Sequence, residues 1–147
     1  MTLGSLFDGI GGWQLAAVRA GIKPIWSSEI DEFCCSITRR HFPNTIQLGD
    51  INLIDSPPHV DIITASSPCQ DLSIAGKRSG INAQRSGLFF KAVELVRRVN
   101  PQFFIWENVP GVFTSNKGLD FRAVLEEILQ EPVPLPKYWS YAGLVDG

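Results

Sequence analysis

A doubly wound α/β fold is what this sequence predicts, and three observations carry it. Short apolar runs alternate with stretches of helical periodicity along most of the chain. One run, residues 60–65 (VDIITA), is β-branched and mostly apolar, as in a parallel strand covered on both faces. The first run ends in a glycine-rich turn, DGIGG, that opens a helical stretch, the order of a β-α unit.

The elements follow in order. Residues 2–7 read as a short strand leading into that turn. Residues 12–20 (GWQLAAVRA) place Leu15, Ala16 and Val18 at roughly helical spacing, with Gly21 as the stop. Residues 23–29 (KPIWSSE) read as a second strand, and Asp31 is the expected N-cap of a helix through Phe42, ended by Pro43 with Asn44. After VDIITA, residues 67–85 are polar and glycine-containing and read as a long loop. Residues 86–99 form an amphipathic pattern stopped by Asn100 and Pro101, then 103–106 read as a buried strand and 118–130 as a helix. The Pro-rich stretch PVPLPKYW leads into one more strand within 138–145. No internal repeat interrupts the pattern.

The 147 residues are expected to form one domain, 1–147, since 44% hydrophobic and 19% charged residues describe a globular chain with a real core. A formal net charge of −2 gives no global attraction to nucleic acid, so any phosphate contact must come from a local basic cluster. The start lacks a cationic leader, and no apolar run approaches membrane-spanning length. The three cysteines, Cys34, Cys35 and Cys69, have no C-x-x-C spacing, and only two histidines accompany them, so no metal site is expected. The expectation is a reduced cytoplasmic protein, without membrane partners, in which Cys69 is a free thiol.

In a doubly wound sheet, ligands sit beyond the carboxyl ends of the strands. The turn DGIGG, Glu29, Asp50, Cys69 and Glu107 all fall at such ends. Gly9 and Gly11 begin a G-x-G-x-x-G pattern, but the third position holds Gln14, so a pyrophosphate is not provided for. The turn is then either a plain tight turn or a place where the backbone approaches a ligand. Glu29 suits both hydroxyls of a ribose, and the pair suggests a nucleoside cofactor carrying something smaller than pyrophosphate. Asp50 in GDI is either a surface-turn residue or an acceptor for an adenine amino group. Cys69 stands between Pro68 and Gln70 before a polar loop, which favours exposure over packing. Glu107 in ENV is either a solvent-facing carboxylate or an acid acting beside that thiol. The loop cations Lys77, Arg78 and Arg85 either solvate their loop or meet phosphates.

The pieces LFDGIGG, SEID, GDI, PCQDLSIAGKR, RSGLFF and PQFFIWENVPG occur in that order over residues 3–111. Together they resemble the cytosine-5 DNA methyltransferase family, in particular the N-terminal catalytic half of its bacterial and phage members. The resemblance implies a Rossmann-like fold that uses S-adenosyl-L-methionine (S-adenosylmethionine), with the C-terminal part absent here. It implies methyl transfer to carbon 5 of a cytosine flipped out of double-stranded DNA, through a covalent cysteine adduct, as in a restriction-modification system. Cys69 resembles the nucleophile and Glu107 the acid that holds the base. Phe7, Gly9, Gly11 and Gly12 match positions around the methionine part of the cofactor. Glu29 matches the ribose position, Ile30, Asp50 and Ile51 the adenine, and Leu88 the pocket wall. On the substrate side the resemblance implies Pro68, Gln70, Ser73, Lys77, Arg78, Arg85, Asn108 and Val109.

Some residues depart from the family pattern. Ser66 and Ser67 replace a glycine-rich lead-in, Leu72 stands where an aromatic is frequent, and Ala83 where Asp is. The family's Gln-Arg-x-Arg motif, target recognition region and C-terminal cofactor wall do not follow. The expected partner beside DNA is therefore a C-terminal half or second subunit carrying the recognition region, and these residues alone are expected not to methylate DNA at a useful rate. Three other readings stay open: a nicotinamide-dependent oxidoreductase of the same fold class, disfavoured by Gln14 and the PCQ–ENV pair; a transfer-RNA cytosine methyltransferase of the same family; and a truncated or split-enzyme piece that binds cofactor or partner without turnover.

Overall fold

The computed structural model of the protein describes residues 1–67, 87–113, 115–134, 139–140 and 143–144. Met1–Ser67 together with Glu94–Glu107 make one compact unit, and the remaining described residues belong to a second. The first unit holds a five-stranded sheet of β1 (Thr2–Leu6), β2 (Lys23–Ser28), β3 (Ile46–Gln47), β4 (Ile62–Ala65) and β5 (Phe103–Trp106), in the order β3-β2-β1-β4-β5. Every pairing in it is parallel. From central β1 the chain winds outward through β2 to β3, then returns to β4 on the other side. The winding direction reverses between β1 and β4, the topological switch point at which such sheets open a crevice.

β4 is buried at all four positions, as its apolar composition predicts for a strand covered on both faces. β1 is nearly as enclosed, and its Gly4 answers a close approach. A methyl carbon added there would lie 2.1 Å from Cζ2 of Trp26, whose indole is fully buried and donates to the Pro58 carbonyl (2.8 Å). Only a residue without a side chain leaves room for that ring.

α1 (Gly12–Arg19) forms where the periodicity predicts a helix, but with a different face inward. Leu15 and Val18 are 45% and 52% exposed, while Gln14 and Ala17 are buried. Ala17 packs with Leu3 and Ile62, backed by Trp13 and Ile22. The inversion has a polar cause, because Gln14 supplies a hydrogen bond to a buried carboxylate described below.

α2 (Glu32–His41) starts at the expected cap, with Asp31 accepting from Cys34 N (2.9 Å). Glu32 in its first turn and Arg39, Arg40 and His41 in its last complement the helix dipole. α3 (Leu88–Val99) buries Phe89, Ala92, Val93, Leu95 and Val99 on one stripe, and Asn100 leaves it at φ +51° before Pro101. β5 differs from the buried strand expected: Phe103 and Ile105 are 48% and 44% exposed, because β5 is the last strand of the sheet among the described residues and one of its faces is open.

In the second unit, α4 (Leu119–Leu129) runs between left-handed Gly118 and Gln130. The strand expected within 138–145 is instead two short strands, β6 (Trp139–Ser140) and β7 (Gly143–Leu144), paired antiparallel. Their two residues each are too few to show a period in the sequence, as is β3. Among the described residues no helix is long and apolar enough to cross a membrane.

Gly4→Ala should destabilise the protein by about 3 kcal/mol or more, above the middle of the range for overpacking, because a rigid indole rather than a flexible chain end is in the way. Urea denaturation measures this directly. A loss within 0.5 kcal/mol, the size of a neutral surface change, would show that Trp26 moves aside.

Candidate active site at the carboxyl edge of the sheet

Strand pairing continues past the strand ends. Ser66 N donates to the Leu6 carbonyl (3.3 Å), Glu107 N to that of Ala65 (2.9 Å) and Asp8 N to that of Ser28 (3.2 Å). The segments that follow β1, β4 and β5 therefore leave the sheet from fixed points, side by side at the switch point.

The glycine-rich turn is wound by left-handed residues: Phe7 at φ 54°, Gly9 at 55° and Gly11 at 90°. For an aromatic residue this costs about 1–3 kcal/mol and persists only where its surroundings enforce it. Glu29, directly after β2, supplies part of that enforcement. Its Oε2 accepts from Gly9 N (2.9 Å), and its Oε1 from Ile30 N (2.8 Å) and Asp31 N (2.9 Å). The glycines of the turn do different work. A methyl carbon on buried Gly11 would come within 2.9 Å of the Phe42 ring and 3.0 Å of Thr38 Cγ2, so Gly11 lets α1 lie against α2. Among the described residues nothing lies within 4 Å of a methyl carbon added at Gly9 or Gly12.

Beneath the turn sits Asp8, only 5% exposed. Its Oδ1 accepts from Ser5 Oγ (2.6 Å) and its Oδ2 from Gln14 Nε2 (2.5 Å), while Thr64 Oγ1 donates to Ser5 Oγ (3.2 Å). Burial pushes the Asp8 carboxyl above its ordinary value; the Ser5 and Gln14 bonds pull the other way and the Glu29 charge adds to the rise. Gln14 spends its amide N–H there, and its buried Oε1 has no hydrogen-bond partner among the described residues.

A cavity of about 420 Å³ opens above, lined by Phe7, Asp8, Gly9, Ile10, Gly12, Trp13, Ser66 and Glu107. It brings together four of the residues expected from the sequence: Phe7, Gly9, Gly12 and Glu107. Glu29 joins them through Gly9. Gly11, Ile30, Asp50 and Ile51 do not line it. Ile30 is 74% exposed, Ile51 is buried in a one-turn 3₁₀ helix (Ile51–Leu53), and Asp50 caps that turn by accepting from Asn52 N and Nδ2, both 2.9 Å. In the second unit, half-buried Leu88 opens α3; Asn108 accepts from Val109 N (2.8 Å), and Val109 is exposed. Pro68, Cys69, Gln70, Ser73, Lys77, Arg78 and Arg85, with most of the loop expected at 67–85, lie outside the described residues. Sequence reasoning missed Asp8, Ile10, Trp13 and Ser66 as cavity residues. The one signal for Asp8 was an acid inside a glycine turn, where burial is not expected. Among the described residues no group of three or more His, Cys, Asp or Glu could hold a metal ion.

A parallel sheet with a crevice at its switch point, walled by a glycine-rich turn and a strand-end carboxylate, defines a doubly wound α/β protein with a cavity where that architecture takes its ligands. Residues 1–131 match the family described as C-5 cytosine-specific DNA methylase, and the chain belongs to that family. It is 38% identical over 130 residues to the type II methyltransferase M.HpaII of Haemophilus parainfluenzae, covering 86% of this chain and 36% of that protein. It is 39% identical over 127 residues to the type II methyltransferase M.NgoBI of Neisseria gonorrhoeae, covering 85% of this chain and 40% of that one. Among solved structures, a prophage-encoded E. coli protein assigned as a DNA modification methyltransferase superposes with a TM-score of 0.70 at 25% identity, over 89% of this chain and 38% of its own. The chain thus spans less than half the length of these relatives.

The raised Asp8 carboxyl makes a pH prediction. The folded protein holds that proton to higher pH than the unfolded chain does, so the contribution of Asp8 to stability is greatest at low pH. It falls as pH rises from the ordinary value of 3.8 through the folded one. Asp8→Asn has no such proton to lose. The stability of wild type relative to Asp8→Asn, from urea denaturation at a series of pH values, should therefore decline from pH 3.8 towards neutrality. A difference that rises over that interval would mean that the bonds from Ser5 and Gln14 outweigh burial.

Proposed function

We propose that this chain is the S-adenosylmethionine-binding catalytic domain, residues 1–147, of a DNA (cytosine-5-)-methyltransferase, with Cys69 as nucleophile and Glu107 as the acid that holds the base. The observation that carries this reading is the switch-point cavity, where the glycine-rich turn and Glu107 meet in a chain of the cytosine-5 family. The family match runs through both compact units, which supports reading them as one catalytic domain.

The residues present fit the cofactor. Gly9 and Gly12 border the cavity, and no described residue fills the space beyond them, so a ligand can approach the backbone there. The Glu29 carboxylate has about four acceptor positions and spends three on backbone N–H groups, which leaves Oε2 able to take a ribose hydroxyl. Asp50 uses only Oδ1 among the described residues, leaving Oδ2 for an adenine amino group, and exposed Ile30 offers an apolar surface for that ring. Phe7, Gly11, Ile51 and Leu88 complete the proposed set through backbone shape and packing. S-adenosylmethionine, when bound, supplies an electrophilic methyl group.

The chain's own residues supply the rest. Carbon 5 of cytosine is a weak nucleophile, and addition of the Cys69 thiolate at carbon 6 makes it enamine-like. The Glu107 carboxyl hydrogen-bonds ring nitrogen 3 and the amino group and stabilises that addition. Once carbon 5 is methylated and its proton removed, the carbon–sulfur bond breaks and Cys69 leaves as thiolate. A free thiol titrates at about 8.5, so the site must favour the thiolate. The cytosine must also leave the base stack, at a cost of a few kcal/mol.

The proposed substrate is double-stranded DNA, in the cytoplasm, with Lys77, Arg78 and Arg85 meeting phosphates. Pro68, Gln70, Ser73, Asn108 and Val109 are proposed to surround the flipped base. The relatives are more than twice as long, so base-edge recognition is assigned to a C-terminal half or second subunit.

Two measurements test the reading. Glu29→Ala should weaken binding of S-adenosylhomocysteine about tenfold or more, the weight of one charge-assisted hydrogen bond. Calorimetry giving equal affinities would remove Glu29 from the ribose. In the methyltransferase containing this chain, duplex with 5-fluorocytosine should trap a covalent adduct on Cys69, because fluorine replaces the proton that must leave. Cys69→Ala should abolish the adduct, and mass spectrometry placing it on Cys34 or Cys35 would overturn the assignment.

A further inference from the structure

The two serines that lead out of β4 each receive an indole N–H. Trp13 Nε1, from the first turn of α1, donates to Ser66 Oγ at 2.9 Å across 53 residues of sequence. Trp106 Nε1, from the last residue of β5, donates to Ser67 Oγ at 3.0 Å across 39 residues. Both tryptophans are half-buried, unlike fully buried Trp26, so water could satisfy either indole. Burial alone does not force these bonds.

Their placement is specific. Trp13 follows the glycine-rich turn directly and lines the same cavity as Ser66 and Glu107. Trp106 is the neighbour of Glu107, whose own N–H is held by Ala65, one residue before Ser66. Ser66 and Ser67 immediately precede Pro68 and Cys69 in the sequence. They also stand where the family pattern often has a glycine-rich lead-in, which offers no hydroxyl to receive an indole N–H.

We propose that Trp13 and Trp106 are positioning residues: through Ser66 and Ser67 they lock the exit of β4 to the cofactor turn on one side and to the Glu107 strand end on the other. The proposal rests on the reading of the glycine-rich turn as the cofactor seat and of Cys69 and Glu107 as reacting groups. A chain leaving β4 through glycines would be free to rotate there. Two hydroxyls, one held by Trp13 and one by Trp106, fix Ser66 and Ser67 at the end of β4 and tie that strand end to the glycine-rich turn and to the strand end that precedes Glu107.

Calorimetry with S-adenosylhomocysteine on the purified chain tests the first pair. Ser66→Ala and Trp13→Phe should each weaken binding about three- to tenfold, the weight of one hydrogen bond. The double variant should bind no worse than the weaker single, since both remove the same bond. Ser66→Thr keeps the hydroxyl and should bind like wild type, a rescue that a packing role would not give. Affinity unchanged in Ser66→Ala, or losses that add in the double variant, would overturn the proposal while leaving the cofactor reading intact. Failure of wild type to bind would overturn both. Amide hydrogen exchange by NMR tests the second pair. Ser67→Ala and Trp106→Phe should speed exchange at Glu107 N–H about tenfold with the Thr64 amide unchanged, and equal rates at Glu107 would refute that half.

Discussion

Leu6, the last paired residue of β1, accepts an amide hydrogen from Ser66, one residue beyond the end of β4, and the arrangement of the site depends on that extension. β1 and β4 are the strands between which the winding reverses, where sheets of this kind leave a gap beyond their carboxyl ends. Without further pairing the gap would have loosely held walls. The added rungs from Ser66 to Leu6, from Glu107 to Ala65 and from Asp8 to Ser28 bring the ordered backbone of the sheet into those walls. The Phe7 backbone in its left-handed region is tolerable for the same reason: the residues on both sides of it are already fixed.

Under this edge the protein has placed polar groups where a sheet usually has apolar ones. Ser5, Asp8, Gln14, Ser27, Ser28 and Thr64 are all buried. A buried unpaired carboxylate would cost far more than a single hydrogen bond returns. Asp8 is instead held by Ser5 and Gln14, and the upward displacement of its carboxyl records that burial still outweighs them. Such a network narrows the conformations open to the turn above it, because each donor has one place to go. Among the described residues Gln14 Oε1 and Ser27 Oγ find no partner, so there the satisfaction is incomplete.

How much of this was legible depends on the range of the interaction responsible. β4 could be read from its own six-residue window because burial on both faces leaves a local mark in composition. The Asp31 cap could be read because its partner is three residues away. The outward face of α1 could not: Leu15 and Val18 advertise an apolar stripe, and only the burial of Asp8, which nothing in the turn's composition marks, explains why Gln14 turns inward instead. The exposure of Phe103 and Ile105 likewise depends on where β5 falls in the strand order, which FFIW does not encode. The glycine-rich turn and the ENV carboxylate were found by motif, and their meeting in one cavity follows from topology. The indole–serine pairs span 53 and 39 residues, between residue types that carry no pairing signal, so no pattern along the chain could have revealed them.

The contact between Gly4 and Trp26 also reaches beyond its own strand. The indole fills the space that a side chain at position 4 would take, while its N–H holds the Pro58 carbonyl in the segment leading to β4. The two positions share one volume across neighbouring strands, and neither can drift in size without the other. A smaller residue at 26 would make room at 4 but would release the carbonyl at 58. A larger residue at 4 therefore requires a smaller one at 26, and that exchange in turn requires a new donor for the carbonyl at 58.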